Sequence, residues 1–93
     1  MRIIWRLSAL EDLRGLRAYI AESDPGSAAV VSRRILDSVE TLATYPERGR
    51  IGRVADTREL VVPRTPYIVI YRVQRDVIRI LRVRHGARRW PDR

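Results

Sequence analysis

A chain of 93 residues holds one domain with a modest core, burying roughly 60–65% of the surface its unfolded form exposes, and leaves no room for a separate cofactor-binding domain. Its 19 basic residues, all arginine, outweigh 11 acidic ones to give a net charge of +8, which points to an acidic or phosphate-bearing partner. The absence of cysteine removes disulfides, thiol nucleophiles and thiolate metal sites, and no apolar run nears the roughly 20 residues of a membrane span, so a cytoplasmic protein without membrane contact is expected.

Arg2 to Arg6 alternates loosely around Ile3, Ile4 and Trp5 and reads as a short strand. A helix follows at once, with Ser8 expected to cap it and Glu11 to reach back to the cap nitrogen, while Leu13, Leu16 and Ile20 form its apolar stripe and Glu22 marks its end. Asp24-Pro25 starts a second helix, since aspartate caps well and proline suits the first helical position. Its Ala28, Val31, Ile35, Val39 and Leu42 recur in steps of three and four, and Pro46 closes it near Tyr45. The short connection makes an antiparallel helical hairpin whose outer charges read as a solvated face.

Residues 47–56 carry two glycines and three arginines without an apolar period, which predicts a loop. Thr57 to Val62, Tyr67 to Val73 and Val77 to His85 then predict an antiparallel meander of three strands. Strict alternation places Tyr67, Val69, Tyr71 and Val73 on one face and Ile68, Ile70 and Arg72 on the other. In the last strand, Ile78 and Ile80 share a side with Arg82 and Arg84. The expected fold is α+β: an N-terminal strand, a two-helix hairpin and a three-stranded meander, with the helices packed on one face of the sheet and the other face left as an apolar floor edged by arginines.

Few residues support chemistry. One histidine and no cysteine argue against a metal site, no cofactor is expected, and the serines at the helix starts read as caps. The Gly-x-x-Gly of Gly49 and Gly52 lies in a basic loop and would cradle a phosphate only weakly, since no Lys-Ser/Thr pair follows. The run from Arg82 to Pro91 is denser: Arg84, His85, Arg88, Arg89 and Trp90 combine charge with stacking area and form the candidate target-binding surface.

Taken in order, four stretches give the chain a family likeness: Ala9-x-x-Asp12-Leu13 with Tyr19-Ile20-Ala21; Tyr45-Pro46-x-x-Gly49-Arg50; Thr57-Arg58-Glu59-Leu60-Val61-Val62; and Pro66-Tyr67-Ile68-Val69-x-Tyr71-Arg72-Val73 running into Ile80-Leu81-x-Val83-x-His85-Gly86-Ala87-Arg88. The chain resembles toxins of the RelE/ParE superfamily over nearly its whole length. The resemblance implies a toxin held inactive by a cognate acidic antitoxin, which wraps it and alone contacts operator DNA. Members split between RelE-like enzymes that cut mRNA on the ribosome and ParE-like inhibitors of DNA gyrase. The nucleases resemble one another in basic groups set around a general acid or base, and here the sequence departs: it has no lysine, no tyrosine after Tyr71 and no acidic residue between Asp76 and Asp92.

The ParE-like branch is therefore expected, with gyrase as target and no catalytic residue. If the chain were instead a ribonuclease acting on ribosome-bound mRNA, Arg64, Arg72, Arg82 and His85 would be its catalytic candidates. A non-catalytic nucleic-acid-binding module is a further alternative. The antitoxin segment is expected on the floor of Ile68, Ile70, Ile78 and Ile80, with its carboxylates near Arg72, Arg82 and Arg84.

Overall fold

A computed structural model describes residues 1–87, and the C-terminal target-binding candidates Arg88, Arg89 and Trp90 lie outside the described residues. Seven elements follow in chain order: β1 (Arg2–Trp5), α1 (Leu7–Ala21), α2 (Pro25–Thr41), β2 (Arg50–Ile51), β3 (Arg58–Val61), β4 (Tyr67–Gln74) and β5 (Val77–His85). The α+β class holds, with the two helices against one face of a mixed sheet of order β1-β5-β4-β3-β2. The meander β3–β4–β5 is antiparallel, whereas β1 adds to β5 in parallel, Ile3 opposite Ile78 and Trp5 opposite Ile80.

The second helix follows its sequence signals closely. Asp24 accepts the Ser27 N–H at 3.0 Å and the Ser27 hydroxyl at 2.6 Å, Pro25 occupies the first turn, and Ala28, Ser32, Ile35 and Val39 form the buried face. It ends at Thr41, and single turns carry the chain on to Tyr45, whose N–H reaches Thr41 O at 2.9 Å. The first helix begins differently from the expected capping box. Arg6 is its cap residue and makes no side-chain cap bond, because a guanidinium has no acceptor to offer; its own N–H is tied to Ile80 O as the last rung of β1. That junction puts Ser8 inside the first turn, where its hydroxyl donates to Leu81 O at 2.9 Å.

The stretch expected to be a loop contains β2. Arg50 and Ile51 pair with Glu59 and Arg58, and the buried Glu59 carboxylate holds them in place. One oxygen accepts from Arg50 Nη2 at 3.1 Å and the other from the Arg53 N–H at 3.2 Å. The core gathers Ala9, Ile35, Val39 and Leu42 from the helices with Leu60, Val62, Val69, Tyr71, Ile78, Ile80 and Val83 from the sheet. Tyr71, fully buried, uses its hydroxyl as a two-way pin: it donates to Pro46 O at 2.8 Å and accepts the Gly49 N–H at 2.9 Å. A Cβ at Gly49 would stand 2.7 Å from the Tyr71 ring, so the glycine is what admits this approach.

Candidate functional site

The register of β4 and β5 corrects the expected faces. Tyr71 lies opposite Ile80 and Ile70 opposite Arg82, so Leu81 is an extra residue in β5 and the strand bulges there. One added residue reverses the alternation of everything before it relative to everything after it. Ile78 and Ile80, expected on the open floor with Arg82 and Arg84, therefore lie under the helices and are fully buried in the main core.

Ile68, Ile70 and Leu81 form a second, smaller cluster on the opposite side. It is no exposed floor, since Ile68 and Ile70 are only 7% and 0% accessible. Cross-strand rows interleave it with charge: Val61–Ile68–Arg84, then Arg50–Glu59–Ile70–Arg82, then Arg72 opposite Arg79. The last row sets Arg72 opposite Arg79, neither with a carboxylate at hydrogen-bond distance among the described residues, and Arg79 donates to the Gln74 amide oxygen at 3.3 Å.

Arg82 has a different role from the one the sequence indicated. It makes a bidentate pair with Asp12 of α1, Nε to Oδ2 at 2.7 Å and Nη2 to Oδ1 at 3.0 Å. The same Oδ2 accepts the Val83 N–H at 3.0 Å. The pair is part-buried, and the Arg82 charge is answered from within the chain. Arg84 is itself buried.

At the far end of β5 the His85 ring stands edge-on to Tyr67, centroids 5.6 Å apart and planes at 76°. Its Nδ1 accepts the Ala87 N–H at 3.1 Å, which places the proton of a neutral ring on Nε2. Beside it opens a cleft of about 560 Å³ lined by Glu11, Asp12, Gly15, Leu16, Tyr19, Tyr67, Val83, Arg84 and His85. Burial, and secondarily the neighbouring Tyr19, raises the Tyr67 phenol above its ordinary value of 10.0, so it stays protonated at neutral pH.

The fallback nuclease residues are not drawn into one cluster. Arg72 sits opposite Arg79 while His85 sits opposite Tyr67, five residues apart along β4, or roughly 17 Å at about 3.4 Å per residue. Arg82 is committed to Asp12, and Arg64 occupies the β3–β4 turn at a φ of 61°, its carbonyl accepting Arg34 Nη1 at 3.1 Å. The Gly-x-x-Gly is structural too. The Gly49 N–H goes to Tyr71 and the Gly52 N–H to Thr57 O at 2.8 Å, so neither points at a phosphate. Among the described residues no group of three acidic or histidine side chains could hold a metal, and no helix is long and apolar enough to cross a membrane.

One grouping escaped the sequence: the Ser8–Asp12 pair of α1 that bonds the backbone of β5 at Leu81 O and the Val83 N–H. The i, i+4 spacing of Ser8 and Asp12 was the available signal, but it indicates a shared helix face and not what that face meets.

With this geometry in view, residues 3–90 match the family model described as the ParE toxin of the type II toxin-antitoxin system parDE. The chain is 50% identical over 91 residues to Y4kP of Sinorhizobium fredii, named as a putative toxin, covering 98% of this chain and 94% of that protein. Toxin RelE2 of Caulobacter vibrioides is 40% identical, covering 94% and 97% of the two chains. Among solved structures, a chain of the chromosomal ParDE TA system from P. aeruginosa superposes with a TM-score of 0.81 at 27% identity, over 91% of this chain and 95% of that one.

Proposed function

Because this chain belongs to the ParE toxin family of type II toxin–antitoxin systems, with a cognate antitoxin as its partner, we propose that it arrests growth in the cytoplasm by inhibiting DNA gyrase. The observation that carries this reading is the dispersal of the residues a nuclease would need. Phosphodiester cleavage asks for a proton acceptor and charge-stabilising groups around one phosphate. Here Arg82 is neutralised by Asp12, Arg72 stands five rows from His85, and His85 is held by Tyr67 and Ala87 as a structural ring. Inhibition by binding requires no such convergence. The antitoxin is acidic and meets the arginine rows around Arg72, Arg79 and Arg84, and operator DNA is contacted only through it.

A ribosome-dependent mRNA endoribonuclease is the second reading, favoured by the name of the 40%-identical relative, toxin RelE2, and by the position of His85 on an open cleft. Two assays on one preparation separate them. Gyrase supercoiling with a readout for cleaved DNA should be inhibited, primer extension on a ribosome-bound message should show no new cuts, and His85→Ala should keep its activity if it folds. Codon-positioned cuts abolished by His85→Ala overturn the gyrase reading.

A further inference from the structure

One corner of the sheet gathers positive charge that the chain does not answer itself. Past Tyr71, β4 has left β3 behind, and only β5 and β1 continue beside it to the turn at Arg75 and Asp76. In the row across these three strands Arg72 stands opposite Arg79, and Arg79 opposite Ile4. Arg2, two rows nearer the turn, shares their face of the sheet, and Arg75 sits at the turn itself.

Other sheet arginines have a carboxylate of their own: Arg50 has Glu59, and Arg82 has Asp12. Among the described residues none reaches Arg2, Arg72, Arg75 or Arg79, although Asp76 lies in the same turn. The Nε of Arg72 is buried without an acceptor, and like charges directly opposite on neighbouring strands are unfavourable. Arg75 adds backbone strain, since its φ of 58° is a left-handed conformation that side chains rarely adopt. Two unfavourable placements in one corner, both of arginine, point to an anion supplied from outside.

The surroundings select among anions. Arg75 and Arg79 line a hollow of about 390 Å³ with Gln74, Asp76 and Val77, and its only apolar wall is that one valine. A protein partner draws its affinity from aromatic or aliphatic anchors seated in pockets, and this hollow offers little to hold one. Single-stranded nucleic acid stacks its bases on aromatic rings, but the exposed tyrosines, Tyr19 and Tyr45, belong to α1 and the turn after α2. The backbone of a duplex asks for neither anchor nor ring, only for cationic groups set along its phosphates.

We infer that the corner formed by Arg2, Arg72, Arg75 and Arg79 holds the phosphate backbone of duplex DNA, without reading its sequence. Arg72 and Arg79, facing each other across the strands, share one phosphate, whose charge relieves their repulsion, and Arg2 and Arg75 flank it. The inference goes beyond the gyrase reading and rests on it only for its setting, since gyrase acts on duplex DNA. Antitoxin carboxylates on Arg72 and Arg79 would exclude the phosphate, so the contact belongs to the free toxin.

The test titrates free full-length toxin into a fluorescein-labelled duplex of arbitrary sequence and follows anisotropy from about 50 to 200 mM salt. Affinity should fall linearly on logarithmic axes, and Arg72→Gln with Arg79→Gln should weaken binding by about tenfold or more and make that slope shallower by about 1 to 2. Arg72→Lys with Arg79→Lys should keep the slope. Arg75→Asn, which suits the left-handed turn, should melt no lower than wild type yet bind more weakly, an answer that survives if the double variant does not fold. Arg14→Gln with Arg17→Gln removes the same charge from exposed positions of α1 and should leave the slope as it is. No binding by wild type, an equal loss from the α1 pair, or a preference for a single strand or an acidic peptide over the duplex overturns the inference. Wild-type toxin that inhibits gyrase without binding DNA also overturns it and leaves the gyrase reading standing. Toxin that binds DNA through these arginines without inhibiting gyrase supports the contact and removes that reading.

Discussion

Tyr71→Phe isolates the pin that joins the sheet to the turn after α2. The hydroxyl removed is buried, donates to Pro46 O at 2.8 Å and accepts the Gly49 N–H at 2.9 Å. Phenylalanine keeps the ring in the core but leaves one buried N–H and one part-buried carbonyl without a partner. At about 1 to 3 kcal/mol for an unsatisfied buried group, the expected loss is about 2 kcal/mol. Gly49→Ala attacks the same contact from the other side. Its Cβ would lie 2.7 Å from both Tyr71 Cε1 and the hydroxyl and 3.0 Å from Glu59 O, an overpacking expected to cost about 1 to 3 kcal/mol. The double variant should cost less than the two singles added, because Tyr71→Phe removes one of the atoms that the new methyl group would strike. Urea unfolding of the free toxin measures all three at constant m, without the stabilisation that bound antitoxin would add. Burial raises the Tyr71 phenol above 10.0, more than the Gly49 hydrogen bond lowers it. The unfolded chain therefore ionises first, and this contribution to stability is present below pH 10.0 and is lost as pH rises through the native value. Tyr71→Phe should flatten that alkaline loss. A loss under about 0.5 kcal/mol for Tyr71→Phe, or strict additivity with Gly49→Ala, would refute the pin.

Asp12→Ala should destabilise by about 1 to 3 kcal/mol, since it removes the acceptor of the Val83 N–H and the bidentate carboxylate on Arg82, while Asp12→Asn should lose less by keeping an acceptor for Val83. Arg82→Glu, which would set two carboxylates together, should register in thermal unfolding before it registers in any binding assay. At the start of α2, the Asp24 carboxyl is held below 3.8 by the Ser27 hydroxyl and then the Ser27 N–H, so its contribution is complete above pH 3.8 and is lost as pH falls through the lower native value. Asp24→Asn should retain most of the cap at about pH 7 and abolish that acid dependence, whereas Asp24→Ala should lower the melting temperature already at that pH.

What the sequence made legible was local and periodic. Asp24-Pro25 and the spacing of Ala28, Ile35 and Val39 mark α2 because cap, first turn and buried face all lie within one segment. The meander was readable for the same reason, its strands being neighbours in sequence. The misses share a non-local cause. Nothing in Ile3-Ile4-Trp5 says that its neighbour is β5, and Arg50-Ile51 is too short to show a period. Leu81 is as apolar as Ile80, so alternation alone cannot mark which residue is the extra one, and the error moved Ile78 and Ile80 to the wrong face. Arg82 looked like a partner-facing charge because its carboxylate lies 70 positions away, and Ser8 looked like a cap because its true acceptor, Leu81 O, is equally remote. Gly15 gives no signal in sequence beyond being a poor helix former, and the open space around it is visible only in the fold.

The parallel pairing of β1 with β5 also sets when the molecule can exist. The first strand to leave the ribosome waits for the last, since Ile3 and Trp5 have no sheet partner until Ile78 and Ile80 emerge. β5 is at once the neighbour of β1 and β4 and the strand whose edge α1 meets, so a nascent chain that lacks it has two helices and a fragment of sheet around a core short of Ile78, Ile80 and Val83. Domains whose contacts are this distant in sequence close late. Closure of the sheet is thereby reserved for chains translated through β5, and a message broken upstream of it yields a product in which β1 has no strand to pair with.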